Sequence, residues 1–123
     1  MQGIEVRDSP GRGRGVFATR TFREADLIEE CPVIILSERD ARRIDGTRLY
    51  DYYFGWGPGG HQAAIALGYG SLYNHSGTPN AAYRKHPAYE TISFFATREI
   101  LPGEEILITY NPGTGNRLWF DAV

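Results

Sequence analysis

The chain has 123 residues, with 13 Lys and Arg against 15 Asp and Glu for a net charge of −2. That is the length of one domain with room for its own core, and the near-neutral balance argues against a dedicated binder of phosphate backbones. A single cysteine, Cys31, excludes an internal disulfide framework and a Cys-rich zinc cluster.

Residues 4–7 form a short segment able to pair. Residues 9–15 read as turn punctuation, because three glycines and a proline fall within them. Residues 16–19 read as a strand and residues 21–25 as a turn. Residues 27–36 are apolar and β-branched, the composition of a strand. Pro32 lies inside that run, so the strand is expected to be bent, split or at an edge. Residues 37–43 suit a helical turn capped by Ser37, with Asp40 three residues on. Residues 49–56 are aromatic and strand-like, residues 57–60 a loop, and residues 63–70 small and apolar. Residues 73–80 contain Gly77 and Pro79 and are expected to be irregular. Residues 82–84 and 91–97 fit two strands around a turn at His86 and Pro87. Residues 101–104 turn the chain into a last strand over residues 106–110. No window of 12 or more residues keeps a 3.6-residue period. The expectation is one domain over residues 1–123, mostly β, with one or two short helical turns. No apolar run approaches the ~18 residues of a membrane span and no signal-peptide pattern opens the chain. A cytoplasmic protein with no membrane partner is therefore expected.

Three segments ask for more than a fold. Gly11, Gly13 and Gly15 alternate with Arg12 and Arg14. Such a stretch can turn sharply and bring main-chain N–H groups to a ligand; it can equally be a hairpin turn with two exposed arginines. Tyr73-Asn74-His75-Ser76 is followed by Gly77-Thr78-Pro79-Asn80. Its amides can meet a polar ligand edge with donor and acceptor together, or can hold the loop through its own backbone. His75 is a poor candidate for a metal ligand, since His61 and His86 show no ligand spacing and no cysteine is near. The third segment, Gly103-Glu104-Glu105-Ile106-Leu107-Ile108-Thr109-Tyr110, is a turn feeding a strand that ends in tyrosine.

Taken in order, Gly13-Arg14-Gly15, the Asn74-His75-Ser76 segment through Pro79-Asn80, and Gly103-Glu104-Glu105-Ile106 through Tyr110 resemble the three motifs of the SET domain. That family comprises S-adenosylmethionine-dependent protein-lysine methyltransferases. Its usual forms are G-x-G, N-H-S-x-x-P-N and G-E-E-[LI]-x-x-x-Y, and the likeness covers the chain from about Val6 to Tyr110. The chain is most similar to the small stand-alone SET proteins of large viruses and bacteria. There Glu29-Glu30-Cys31, Asp51-Tyr52 and residues 66–70 also have counterparts.

The resemblance implies an all-β, β-clip-like SET fold of short strands with a threaded pseudoknot loop. It implies an S-adenosyl-L-methionine site made by Gly13, Arg14, Gly15, Asn74 and His75, with Asn74 and His75 at the cofactor's amino group and adenine. Tyr110 takes the catalytic tyrosine role at the mouth of a lysine channel and also borders the cofactor; Tyr52 and Tyr83 match further channel tyrosines. The substrate is implied to be a lysine-bearing protein or peptide, a histone tail or another basic protein, with no direct contact to nucleic acid. No metal is implied. The zinc-binding flanks that close the channel in many members are missing, and the aromatic segment Leu118-Trp119-Phe120 is the local candidate to close it, with Trp119 over the cofactor. Ile108 stands where many members carry the aromatic residue that limits methylation state, and Arg14 replaces an aromatic residue of close relatives. The short length suggests a homodimer. The alternative is a catalytically silent SET-like module that binds a peptide or the cofactor; the presence of Tyr110 favours the enzyme.

Overall fold

The computed structural model describes residues 2–109. Tyr110 and Trp119 therefore lie outside the described residues, as does the aromatic segment around Trp119.

Strand β1 (Ile4–Ser9) pairs antiparallel with β2 (Gly13–Ala18), from Ile4 opposite Ala18 to Ser9 opposite Gly13. The ladder thus runs through Gly13 and Gly15, and the turn is shorter than the glycine pattern suggests. It closes where Arg12 N–H donates to the Ser9 carbonyl at 2.9 Å. Gly11 and Gly13 carry φ of 77° and 78°, the left-handed region that glycine enters without steric cost.

Strand β3 (Leu27–Leu36) is the axis of the main sheet. Helix α1 (Glu38–Ile44) follows it, capped as expected by Ser37, whose hydroxyl accepts from Asp40 N–H at 3.1 Å. Glu38 and Asp40 in its first turn and Arg42 and Arg43 in its last suit the helix dipole. Residues 49–56 form less strand than their composition suggests: a 3-10 turn at Arg48–Asp51, capped by Thr47, takes the first half. Only β4 (Phe54–Trp56) remains, and it pairs with β5 (Gln62–Ala66). Strands β7 (Ala81–His86) and β8 (Thr91–Ala96) make a hairpin around the expected turn. The sheet order is β4-β5-β3-β8-β7, antiparallel throughout.

Two irregularities in β3 matter. Residues Leu27–Pro32 pair with β8, and Val33–Leu36 pair with β5 on the other side. Pro32 sits at this changeover, which is the split its ring predicts. The register also slips between Leu27 and Glu29. Strict alternation would send one of Ile28 and Glu29 outward, but the bulge turns both into the interior.

The core lies between the hairpin, the sheet and the last segment: Val16, Phe22, Ile92, Phe94, Ile100, Ile106 and Ile108 are all fully buried. Each such side chain contributes roughly 1.5–3 kcal/mol by leaving water. A smaller cluster of Ala41, Tyr53 and Ala63 seats α1 against β5.

Finally, β6 (Asn74–His75) pairs parallel with β9 (Leu107–Ile108), Asn74 opposite Leu107 and His75 opposite Ile108. This two-residue ladder brings the second and third sequence motifs side by side.

Candidate functional site

The loop of residues 74–80 cannot hold itself by ladder bonds alone, so its side chains do so. Asn80 is 2% exposed and spends its amide on the neighbouring segment. Its Nδ2 donates to the Glu105 carbonyl at 2.9 Å, and its Oδ1 accepts from Leu107 N–H at 2.8 Å. Ser76 N–H donates to the Ile108 carbonyl at 2.9 Å, and Thr109 Oγ1 donates to the Ser76 carbonyl at 2.7 Å. The motif's last asparagine is therefore a clamp between loop and β9, and Asn74 is the one left for a ligand.

Asn74 bridges to the glycine motif. Its Nδ2 donates to the Arg14 carbonyl at 2.9 Å and to Glu105 Oε2 at 2.7 Å. Glu105 Oε1 in turn accepts from Ser9 Oγ at 2.8 Å and lies 3.8 Å from Arg12 Nη1. One carboxylate thus ties the ends of β1 and its turn to β6. Gly15 makes the arrangement possible. A Cβ there would strike Glu105 Oε2 and stand 2.8 Å from Asn74 Nδ2. Gly13 is different: nothing lies within 4 Å of where its Cβ would be, and it faces a cleft. Close approach of a ligand, the role expected for both glycines, fits Gly13; Gly15 is required by the protein's own side chains.

The cleft has a volume of about 150 Å³, and Gly13, Arg14, Arg48, Tyr52, Ser71 and Asn74 are among its walls. Tyr52 arrives there at the end of the 3-10 turn, its N–H donating to the Leu49 carbonyl at 2.9 Å. His75, the next residue on β6, is exposed and is not one of the cleft's wall residues. Tyr83 is placed elsewhere. From β7 it meets Phe54 edge-on, with ring centroids 5.4 Å apart, and lies 6.3 Å from Phe94. The structure thus brings Gly13, Arg14, Tyr52 and Asn74 to one cleft and puts Tyr83 in an aromatic group. Tyr110 follows β9 by two residues, and β9 is bonded to Asn80 immediately before β7.

The donor set suits the amino-acid end of the implied cofactor. Guanidinium groups of Arg14 and Arg48 match a carboxylate, an asparagine amide matches an ammonium or a carboxylate according to its direction, and the open side of Gly13 leaves backbone within reach. Among the described residues, no cluster of three or more His, Cys, Asp or Glu side chains could hold a metal ion.

Sequence reasoning passed over Arg48, and it gave Glu105 and Glu29 a place in recognisable segments but no role. Glu29 is a carboxylate inside the core, 6% exposed. It accepts from the Tyr73 hydroxyl at 2.8 Å and from Tyr69 N–H at 2.9 Å, so it holds the segment that leads into Asn74. Burial first, then the Glu29 charge and the hydrogen bond to it, push the Tyr73 hydroxyl well above its ordinary pKa. The Cys31 thiol is pushed up by burial and then by Glu29, so it stays protonated and unreactive. The available signal for Glu29 was an acid within an apolar β run; for Glu105 it was an acid next to the last strand.

The SET domain family matches residues 13–111. The chain is 35% identical over 119 residues to a histone-lysine N-methyltransferase of Schizosaccharomyces pombe, H3 lysine-37 specific, covering 96% of this chain and 77% of that protein. It is 31% identical over 121 residues to the N-lysine methyltransferase KMT5A-A of Xenopus laevis, covering 89% of this chain and only 36% of that one. A crystal structure from Plasmodium falciparum, described as a histone methyltransferase, superposes with a TM-score of 0.72 at 31% identity, over 89% of this chain and 94% of that one. A chain of the Chaetomium thermophilum Polycomb Repressive Complex 2 shares the fold, with a TM-score of 0.74 at 20% identity, over 87% of this chain and 14% of that one.

Proposed function

The chain belongs to the SET-domain family of protein-lysine methyltransferases, and on that premise we propose that its cleft takes S-adenosyl-L-methionine and that its substrate is a lysine of a histone tail or another basic protein. The observation that carries this reading is the meeting of Gly13, Arg14 and Asn74 at one cleft, with β9, two residues short of Tyr110, laddered to β6. When bound, the cofactor supplies an electrophilic methyl group. Arg14 and Arg48 hold its carboxylate, Asn74 its ammonium, and the Gly13 backbone lies along it without a side chain in the way. Tyr52 borders the same cleft, and the role proposed for His75, exposed next to Asn74 on β6, is contact with the cofactor's adenine.

The lysine enters from the aromatic side. Its free pKa is about 10.4, and it must be neutral to act as a nucleophile. A channel bordered by the Tyr52 and Tyr83 rings disfavours the charged ammonium and lowers that value; Phe54 and Phe94 are buried in the core and support Tyr83 from behind. The role of Tyr110 is to fix the direction of approach with its hydroxyl, and that of Trp119 to cover the cofactor. Work of this kind is positioning and electrostatics, so no general base is assigned. The histone preference rests on what the relatives of Schizosaccharomyces pombe and Plasmodium falciparum are named for.

The test is transfer of labelled methyl from S-adenosyl-L-methionine by the full chain, to purified histones and separately to a bacterial lysate. Tyr110→Phe is the matched control. Label on a discrete protein, reduced at least about a hundredfold in the variant while cofactor affinity stays within about threefold, supports the enzyme. Cofactor binding without transfer to either set replaces it with the silent module. Lys85 is the chain's one lysine, so self-methylation is easily told apart from transfer to another protein.

A further inference from the structure

An asparagine amide offers an acceptor on one side and two donors on the other. Which side faces a cleft decides whether it recognises a cation or an anion. At Asn74 the choice is forced. Its Nδ2 is 2.7 Å from Glu105 Oε2 and 2.9 Å from the Arg14 carbonyl, and both of those partners only accept. Both amide protons are used, and Oδ1 is left as an acceptor on a residue that lines the cleft.

We propose that Glu105 is a positioning residue for ligand recognition: by accepting from Asn74 Nδ2 it fixes the amide's direction, so that Asn74 selects a ligand bearing an ammonium group over its deaminated counterpart. The inference rests on the reading that this cleft takes the cofactor's amino-acid end. Glu105 is well built for the task. Its side chain is 14% exposed. Its other oxygen accepts from Ser9 Oγ, on a residue that is 3% exposed. Its backbone is fixed against β2, since Phe17 and Glu105 are bridge partners and Ile106 N–H donates to the Val16 carbonyl at 2.8 Å. Gly15 leaves the room the contact needs. A neutral amide at position 105 could donate as well as accept, and Asn74 would then be free to turn over.

The experiment is calorimetric binding to the full chain of S-adenosylhomocysteine and of the same molecule with hydrogen in place of its α-amino group. Wild type is expected to prefer the amine by about tenfold or more, the worth of a hydrogen bond to a charged group. In Glu105→Gln the preference falls to about threefold or less, while affinity for the deaminated ligand stays within about twofold. A preference that survives in Glu105→Gln, or equal weakening of both ligands, overturns the inference and leaves the cofactor reading in place. A wild type that binds neither ligand overturns both. Should Glu105→Gln fail to fold, Glu105→Asp keeps the charge but draws it back from Asn74; the same loss of preference is expected, and a retained preference again overturns the proposal.

Discussion

Gly15 and Gly13 stand two positions apart on one strand and are glycine for different reasons. Gly13 sits at φ 78° with open space where a Cβ would point. Gly15 has no such φ, and its hydrogens face Glu105 and Asn74. Gly15→Ala is therefore expected to force Asn74 and Glu105 apart, at about 1–3 kcal/mol in stability, and to weaken cofactor binding more than tenfold, roughly the worth of one charge-assisted contact. Denaturant midpoints and calorimetry check the two halves; an alanine variant with unchanged affinity would show that the Asn74–Glu105 contact is dispensable for binding. The motif spacing made Gly13, Gly15 and Asn74 visible as site residues. It could not distinguish their roles, because that depends on Glu105, which lies 90 positions from Gly15 in sequence.

Strand β3 shows how an element tolerates a residue that ought to break it. In a strand the N–H and C=O of one residue point the same way. Leu67 N–H donates to the Pro32 carbonyl at 2.9 Å, so the N–H that Pro32 lacks would face the end of β5, where the ladder stops at Ala66. Only one bond at a ladder end is given up. Pro32→Ala is accordingly expected to lower stability by only about 0.4–1 kcal/mol, mostly through greater freedom of the unfolded chain. Urea unfolding checks this, and a loss above about 3 kcal/mol, the scale of a broken interior ladder, would mean that the ring is needed for the changeover. The bulge at Leu27–Glu29 has the opposite logic. It disturbs the alternation and in return brings Ile28 inward beside Glu29, whose carboxylate, in phase with Cys31 and Val33, reaches Tyr73 and Tyr69 just ahead of β6. The run's apolar character was readable; the bulge was not, because it arises from the fit of β3 to β8.

The assembled fold keeps several acidic protons in place that an unfolded chain would release. Tyr73 is held protonated by burial, then by Glu29; Tyr53 by burial, then by its 2.6 Å hydrogen bond to Asp45; Cys31 by burial, then by Glu29. All three are shifted upward from ordinary values of 10.0, 10.0 and 9.0. A group whose folded pKa is raised contributes stability below its unfolded pKa and loses it as pH rises. Melting temperature is therefore expected to be insensitive to these groups up to about pH 9 and to fall above it, as the unfolded thiol and phenols ionise. Melts between about pH 7 and 11 check this. Tyr73→Phe should flatten part of the fall, and an equal slope in that variant would remove Tyr73 from the account.

The order of the motifs, the β character and the capped turn at Ser37 could all be read from residues close together in the chain, since turn chemistry, alternation and capping are local. So could the family, because three short patterns kept their spacing. The convergence of those patterns was not local. The parallel ladder of β6 with β9, the clamp by Asn80 and the contacts of Glu105 with Ser9 and Asn74 join residues 25 to 96 positions apart. Hydrogen-bond partners at such distances are chosen by how the strands pack, which leaves no period in the sequence. Residue types told which chemistry was available; packing told which atom of Asn74 faces the cleft.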